Sequence, residues 1–228
     1  MDAALTAPVP VSAARRPQQD RSRETEARIL RALAELLRAR PFERLSVADV
    51  AERAGVSVGG FYARFASKHD ALLHLSYEGY VAETAAEAAR VLAPGRWRGR
   101  GIAPVAEAYF RLVIGGARRH FAVIRELVQR SRADPGGAPG ADAYDRFVEV
   151  VHEPFRRLLR ARLAEVRHPD PELALRVGFS ACHSAAREAV LFPHMRPVMG
   201  EIADERLAAE LARMFCGYLG APLPDDRG

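Results

Sequence analysis

Between Ser46 and Leu73 stands a set of side chains suited to gripping a nucleic-acid backbone. Ser46 opens a helical pattern, so its hydroxyl and the amides after it can be offered to a phosphate. Arg44 precedes it, and Tyr62, Arg64 and Lys68 bring a phenol and two positive charges further on. Phosphate contacts give affinity, whereas sequence is read by groups that lie in a groove. The groups set to face a groove are Ser57, Val58, Gly59, Gly60 and Ala63. Val58, Gly60 and Ala63 stand where Asn, Gln, Arg or Lys would make paired base contacts. Base reading therefore falls to close backbone approach, thymine-methyl contacts from Val58 or Ala63, DNA shape, and Arg44 or the N-terminal arm.

Bond-breaking chemistry finds no comparable set. Cys182 and His183 are neighbours on a helical pattern and point about 100° apart, which does not align a thiolate with its base. His152-Glu153 is not a zinc motif, no HxxxH or CxxC spacing occurs, and no glycine-rich phosphate loop follows a strand. An enzyme is not expected, and neither is a cofactor or metal. Two cysteines are too few for a disulfide framework, and no run approaches the length of a membrane helix. Asp2 precedes any basic residue, so a secretion signal is not expected and the chain reads as cytoplasmic.

The elements that must position these groups are legible from caps and stops. Ser46 is an N-cap with Asp49 three residues on, and Val47, Val50, Ala51 and Ala54 follow at helical spacing. Gly55 stands where a left-handed residue ends a helix. Ser57 caps a short second helix through Phe61, Tyr62 and Phe65, with both phenylalanines turned to the core. Ser67 with Asp70 opens a third, longer one. Helix, glycine-containing turn and helix is the layout of DNA-binding helix-turn-helix units. Charge agrees with it. Residues 15 to 68 carry twelve basic and seven acidic side chains, a surplus of five that accounts for the whole net charge of +5. Lys68 is the one lysine in the chain.

The stretch resembles the N-terminal signature of TetR/AcrR-type transcriptional regulators: an apolar first helix, then AERAGVS, then GxxYxxFxSKxxLL. Gly59, Tyr62, Phe65, Ser67, Lys68, Leu72 and Leu73 stand in the matching positions, and the match covers about residues 20 to 75. The resemblance assigns Tyr62 a phosphate contact and fits Lys68 to another. It implies a homodimer on a palindromic operator in double-stranded DNA, acting as a repressor and released by a small molecule.

The rest of the chain is expected to be all-α, about nine helices in total. Residues 1 to 19 read as a disordered, basic-ended arm, 20 to 66 as the DNA-binding unit, 67 to 75 as the start of a connecting helix, and 76 to 228 as an effector and dimer domain. The first helix is expected from Arg21 to Arg40, stopped by Pro41, and the fourth from Ser67 to Leu92. Two helices should share 102 to 129 and meet near Arg118 to His120; a loop should fill Arg132 to Gly140. A helix bent at Pro154 is expected over Ala141 to Val166, an eighth over Pro171 to Phe192, and a ninth over Ile202 to Leu219.

A bundle cavity lined by aromatics with a few polar groups is the expected effector site. Its candidates are His74, Tyr77, Tyr80, Tyr109, Phe110, His120, Phe147, His152, Phe179 and His183, which together favour an apolar or aromatic small molecule. The eighth helix carries a small-residue ridge of Gly178, Cys182, Ala185 and Ala189, and the ninth a stripe of Leu207, Leu211, Met214 and Tyr218. These can pack inward or onto a partner; the resemblance places them in a dimer interface.

Overall fold

The computed structural model describes residues 15–133, 148–192, 200 and 202–223. Nine helices and no strand occur among them. The chain divides into two compact units, Met1–Ala71 and Leu72–Gly228.

In the first unit, α1 (Arg15–Ala39) buries Ile29, Leu30, Leu33 and Leu37 at helical spacing. It begins six residues before the expected start, because Pro17 falls in the first turn, where its missing N–H has no intrahelical partner to lose. Pro41 ends it, and a 3₁₀ turn (Phe42–Arg44) drives Phe42 and Leu45 into the core. In α2 (Val47–Ala54) the Ser46 hydroxyl accepts from the Asp49 amide at 3.0 Å, and the Asp49 carboxylate accepts from the Ser46 amide at 2.7 Å. Gly55 terminates α2 at φ 65°, with the Val56 amide donating to the Ala51 carbonyl at 2.9 Å. Ser57 then caps α3 (Val58–Tyr62) by accepting from the Gly60 amide at 2.9 Å. The α2–α3 connection is three residues long, and both of its ends are fixed by local bonds rather than by distant packing.

Helix α4 runs unbroken over 68–91 and crosses the unit boundary: an α segment (Lys68–Leu75), a wider π turn (Ser76–Val81) and a second α segment (Ala82–Val91). A short 3₁₀ turn (Pro94–Trp97) follows, with the Trp97 indole buried and donating to the Val91 carbonyl at 2.8 Å. Then come α5 (Ile102–Arg119) and α6 (Phe121–Ala133), meeting at His120 as the pattern predicts. Helix α6 carries two residues into the stretch expected as a loop; the remainder of that loop lies outside the described residues. Helix α7 covers 148–160, a π turn (Val148–His152) passing into an α segment (Glu153–Arg160). Pro154, which cannot donate an internal hydrogen bond, is the second residue after that wider turn. The expectation of one helix to Val166 is corrected: α7 stops at Arg160, and a 3₁₀ turn (Leu163–Glu165) follows. Helices α8 (Pro171–Leu191) and α9 (Asp204–Leu219) complete the unit.

The second unit's core is aromatic at its centre. Tyr109 and Phe155 stack at 3.9 Å between ring centroids, and Phe110 and Phe215 complete the group with no exposed surface. Stacking of this kind adds about 0.5–1.5 kcal/mol beyond the area buried. Gly178 lets α8 approach α9, since a Cβ there would lie 3.0–3.1 Å from the rings of Tyr218 and Phe215.

Candidate nucleic-acid and effector sites

Helix α3 separates an anchor from a reading face. Phe61 is fully buried and Phe65 nearly so, whereas Val58 is 44% and Tyr62 54% exposed. Ser57, Gly59 and Ala63 are exposed with them, and Gly60 partly so. A Cβ at Gly59 would meet nothing nearer than the Ser57 hydroxyl at 3.9 Å, so this surface is flat by composition and not by crowding. The Tyr62 ring is held edge-on to Phe61 at 5.6 Å with its phenol outward.

The polar candidates behave differently. The Ser46 hydroxyl donates to the Asp49 carboxylate at 2.6 Å, and the Ser46 hydrogen bonds hold that carboxyl below the usual carboxylate range. The Asp49 carboxylate also takes an ion pair from Arg40 at 3.2 Å. The α2 N-terminus thus carries its own anion. Arg64 spans from α3 to α1, donating to the Gly60 carbonyl at 3.1 Å and the Ser22 carbonyl at 3.3 Å. Lys68 donates to the Phe42 carbonyl at 2.7 Å and the Leu45 carbonyl at 2.5 Å, with its ammonium 4.2 Å from the Phe42 ring centre. That ammonium pins the turn between α1 and α2, a role the sequence reading did not foresee. Arg44 is exposed.

In the second unit five of the effector candidates gather, and two more form a separate pair. The Tyr109 phenol is hydrogen-bonded to His183 Nδ1 at 3.1 Å. His152 lies 4.6 Å from the His183 ring and 4.9 Å from Phe179, and Phe179 stacks on His183 at 5.7 Å. Phe110 meets the group edge-on to Tyr109 at 5.3 Å. Burial pushes the His152 imidazole down to about 3 and that of His183 to about 4, so both are neutral near pH 7. Tyr80 and His120 form a second pair, 5.6 Å apart, with His120 bonded to the Glu83 carboxylate at 2.9 Å. Tyr77 is partly buried beside this pair in sequence, His74 is exposed, and Phe147 lies outside the described residues. A cavity of about 170 Å³ opens between α7 and α8, with Phe179 in its wall and Arg156, Arg160 and Arg176 around it. The sequence reading missed Phe155, the stacking partner of Tyr109; its place three residues after His152 on one helix was the available signal.

The small ridge and the final stripe are split by burial. Gly178, Cys182, Leu207 and Leu211 are buried within this one chain, where α8 meets α9, and Ala185 and Ala189 are partly buried. Met214 at 53% and Tyr218 at 43% stay exposed, together with Leu173 and Val177 of α8. Four of the eight residues expected at an interface are thus buried where α8 and α9 of the one chain meet. Burial also raises the Cys182 and Cys216 thiols to about 11 and about 12, which leaves both unreactive at neutral pH.

No curated protein matches the sequence significantly. Among solved structures, a TetR-family transcriptional regulator from Mesorhizobium loti is similar, with a TM-score of 0.64 at 15% identity over 88% of this chain and 97% of that one. The fatty acid degradation regulator FadR of Bacillus halodurans gives 0.59 at 14% identity, covering 87% and 97%. Thermus thermophilus FadR, a repressor solved with lauroyl-CoA, gives 0.55 at 19% identity, covering 89% and 98%. The model of bacterial regulatory proteins of the tetR family matches residues 29–75, and that of the tetracyclin repressor-like C-terminal domain matches residues 105–219. With a capped helix-turn-helix in the first matched segment and the aromatic bundle in the second, the chain belongs to the TetR family of DNA-binding transcriptional regulators.

Proposed function

We propose that this regulator binds a palindromic operator as a homodimer, represses, and is released by a small apolar or aromatic effector. Residues 20 to 66 would read DNA, 67 to 75 carry the connection, and 76 to 228 hold the effector and the partner subunit. One observation carries the DNA reading: α3 buries Phe61 fully while turning Tyr62, Val58 and the Gly59 backbone outward. A helix anchored from beneath, with no side chain larger than valine at Ser57, Val58, Gly59, Gly60 and Ala63, suits close approach to a groove. It suits phosphate gripping by Tyr62 and methyl contact by Val58. The effector reading is supported by the aromatic group around Tyr109. It is supported too by the fold shared with Thermus FadR, which takes a ligand with a long apolar chain.

The test is selection of duplexes from a random library, followed by binding isotherms over a salt series. A palindromic consensus is expected. Tyr62→Phe should weaken selected and scrambled duplexes by the same factor, since a phosphate contact carries no base information. If no duplex is enriched, or if Tyr62→Phe binds as the wild type does, the assignment of α3 as the reading helix is wrong.

A further inference from the structure

In the second unit an arginine and a threonine each bury a polar atom that has no hydrogen-bond partner. On α8, Arg187 lies one turn beyond His183, and its Nε is buried with no hydrogen-bond partner. No carboxylate of the described residues comes within ion-pair distance of it. On α4, Thr84 lies one turn beyond Tyr80; it is 1% exposed, and its hydroxyl is likewise buried without a partner. On α5, Tyr109 and Gly116 share a face, seven residues apart. Tyr109 bonds to His183, and a Cβ at Gly116 would lie 3.4 Å from the Thr84 hydroxyl and 3.6 Å from the Tyr80 ring. The Tyr80 ring and Thr84 on α4 and His183 on α8 therefore face the same side of α5.

We infer that Arg187 and Thr84 form an anion seat, and that the effector is an organic carboxylate whose apolar body lies along Tyr109 and Phe179. The inference rests on the effector-binding reading above and names the chemical class it takes. An arginine whose Nε is buried without a partner is costly to leave unpaired, and a planar carboxylate is the group that its fork of N–H donors matches best. The Thr84 hydroxyl would supply one further donor. The imidazoles cannot supply the charge, because burial holds His152 and His183 neutral; Arg187 is close enough for its field to lower His183 further and to act on the Tyr80 phenol.

The experiment is thermal denaturation and calorimetry of the full chain with benzoate, phenylacetate, cinnamate and octanoate, each against its uncharged primary amide. At least one carboxylate should raise the wild-type midpoint while its amide does not. Arg187→Met should weaken that carboxylate by about tenfold or more and leave the ligand-free midpoint unchanged or higher, as removal of a donor buried without a partner predicts. Arg187→Lys, which keeps charge without the fork, should retain a weaker shift. The seat is overturned if no carboxylate shifts the wild type or if amides do as well. It is overturned equally if Arg187→Met keeps the shift, or if its ligand-free midpoint falls sharply, as for a structural arginine. A carboxylate that binds at the seat and leaves operator affinity unchanged would instead sink the effector reading, and an uncharged compound that releases DNA would spare that reading and sink the seat.

Discussion

Lys68 shows how a residue's type can be read correctly and its work missed. As the chain's only lysine in the basic unit, it reads as a phosphate contact; its ammonium is in fact bonded to carbonyls 26 and 23 residues earlier and sits over the Phe42 ring. Lys68→Ala should lower the stability of the first unit by about 1–3 kcal/mol, the cost of leaving carbonyls of that turn without their charged donor. The check is denaturant unfolding of the variant beside a salt series of DNA binding. A stability loss with an unchanged salt slope makes Lys68 a pin of the turn, whereas an unchanged stability with a slope lower by about one makes it a phosphate contact. Local chemistry near it was fully legible. Ser46 with Asp49, Gly55 at positive φ and Ser57 with Gly60 each act within four residues, and a sequence displays such partners side by side. The carbonyls that hold Lys68 belong to no motif, so nothing in the sequence pointed to them. Arg187 escaped for a different reason: charged side chains on a helix are ordinarily solvated, and only burial of its Nε sets it apart.

At the scale of elements, the helices were legible and their irregular turns were not. Periodicity located the nine, but it does not distinguish an α turn from the π turns at Ser76–Val81 and Val148–His152, each a single wider turn within a longer helix. The second of these brings His152 to the end of its turn and, with α8, packs it 2% exposed against His183. This pairing sets a pH dependence. Both imidazoles titrate near 6.5 in the unfolded chain and at about 3 and about 4 when folded, so between those values the unfolded state binds more protons. Stability therefore rises with pH through that window and is lost as pH falls below about 6.5, at up to about 1.4 kcal/mol per pH unit for the deeply buried His152. Thermal midpoints measured from pH 7 to pH 4.5 should fall, and His152→Phe should flatten the curve by about one proton. An equally steep curve for the variant would assign the dependence to carboxylates instead.

At the scale of the whole molecule, the apolar surface left exposed among the described residues marks where a second copy is proposed to sit. Helical spacing alone could not tell the inward face of α9 from an outward one, because Leu207, Leu211, Met214 and Tyr218 form one continuous stripe. Burial divides it: Leu207 and Leu211 fill the chain's own core, and Met214 and Tyr218 join Leu173 and Val177 of α8 in an outward patch. Each exposed pair is spaced by four residues, so both helices present a full turn of apolar side chains, which is the form a two-helix-on-two-helix contact takes. A glutamate at Val177 and another at Met214 should thus give a folded monomer, while Leu211→Glu, placing an unpaired charge in the core, should cost about 3–5 kcal/mol and unfold the second unit. Light scattering gives the mass and circular dichroism the helicity. The monomer should also lose most of its preference for palindromic over half-site duplexes, because the two reading heads are no longer joined. A Val177→Glu, Met214→Glu double variant that remains a dimer with full operator affinity would place the partner elsewhere on the second unit and leave this patch without a role in assembly.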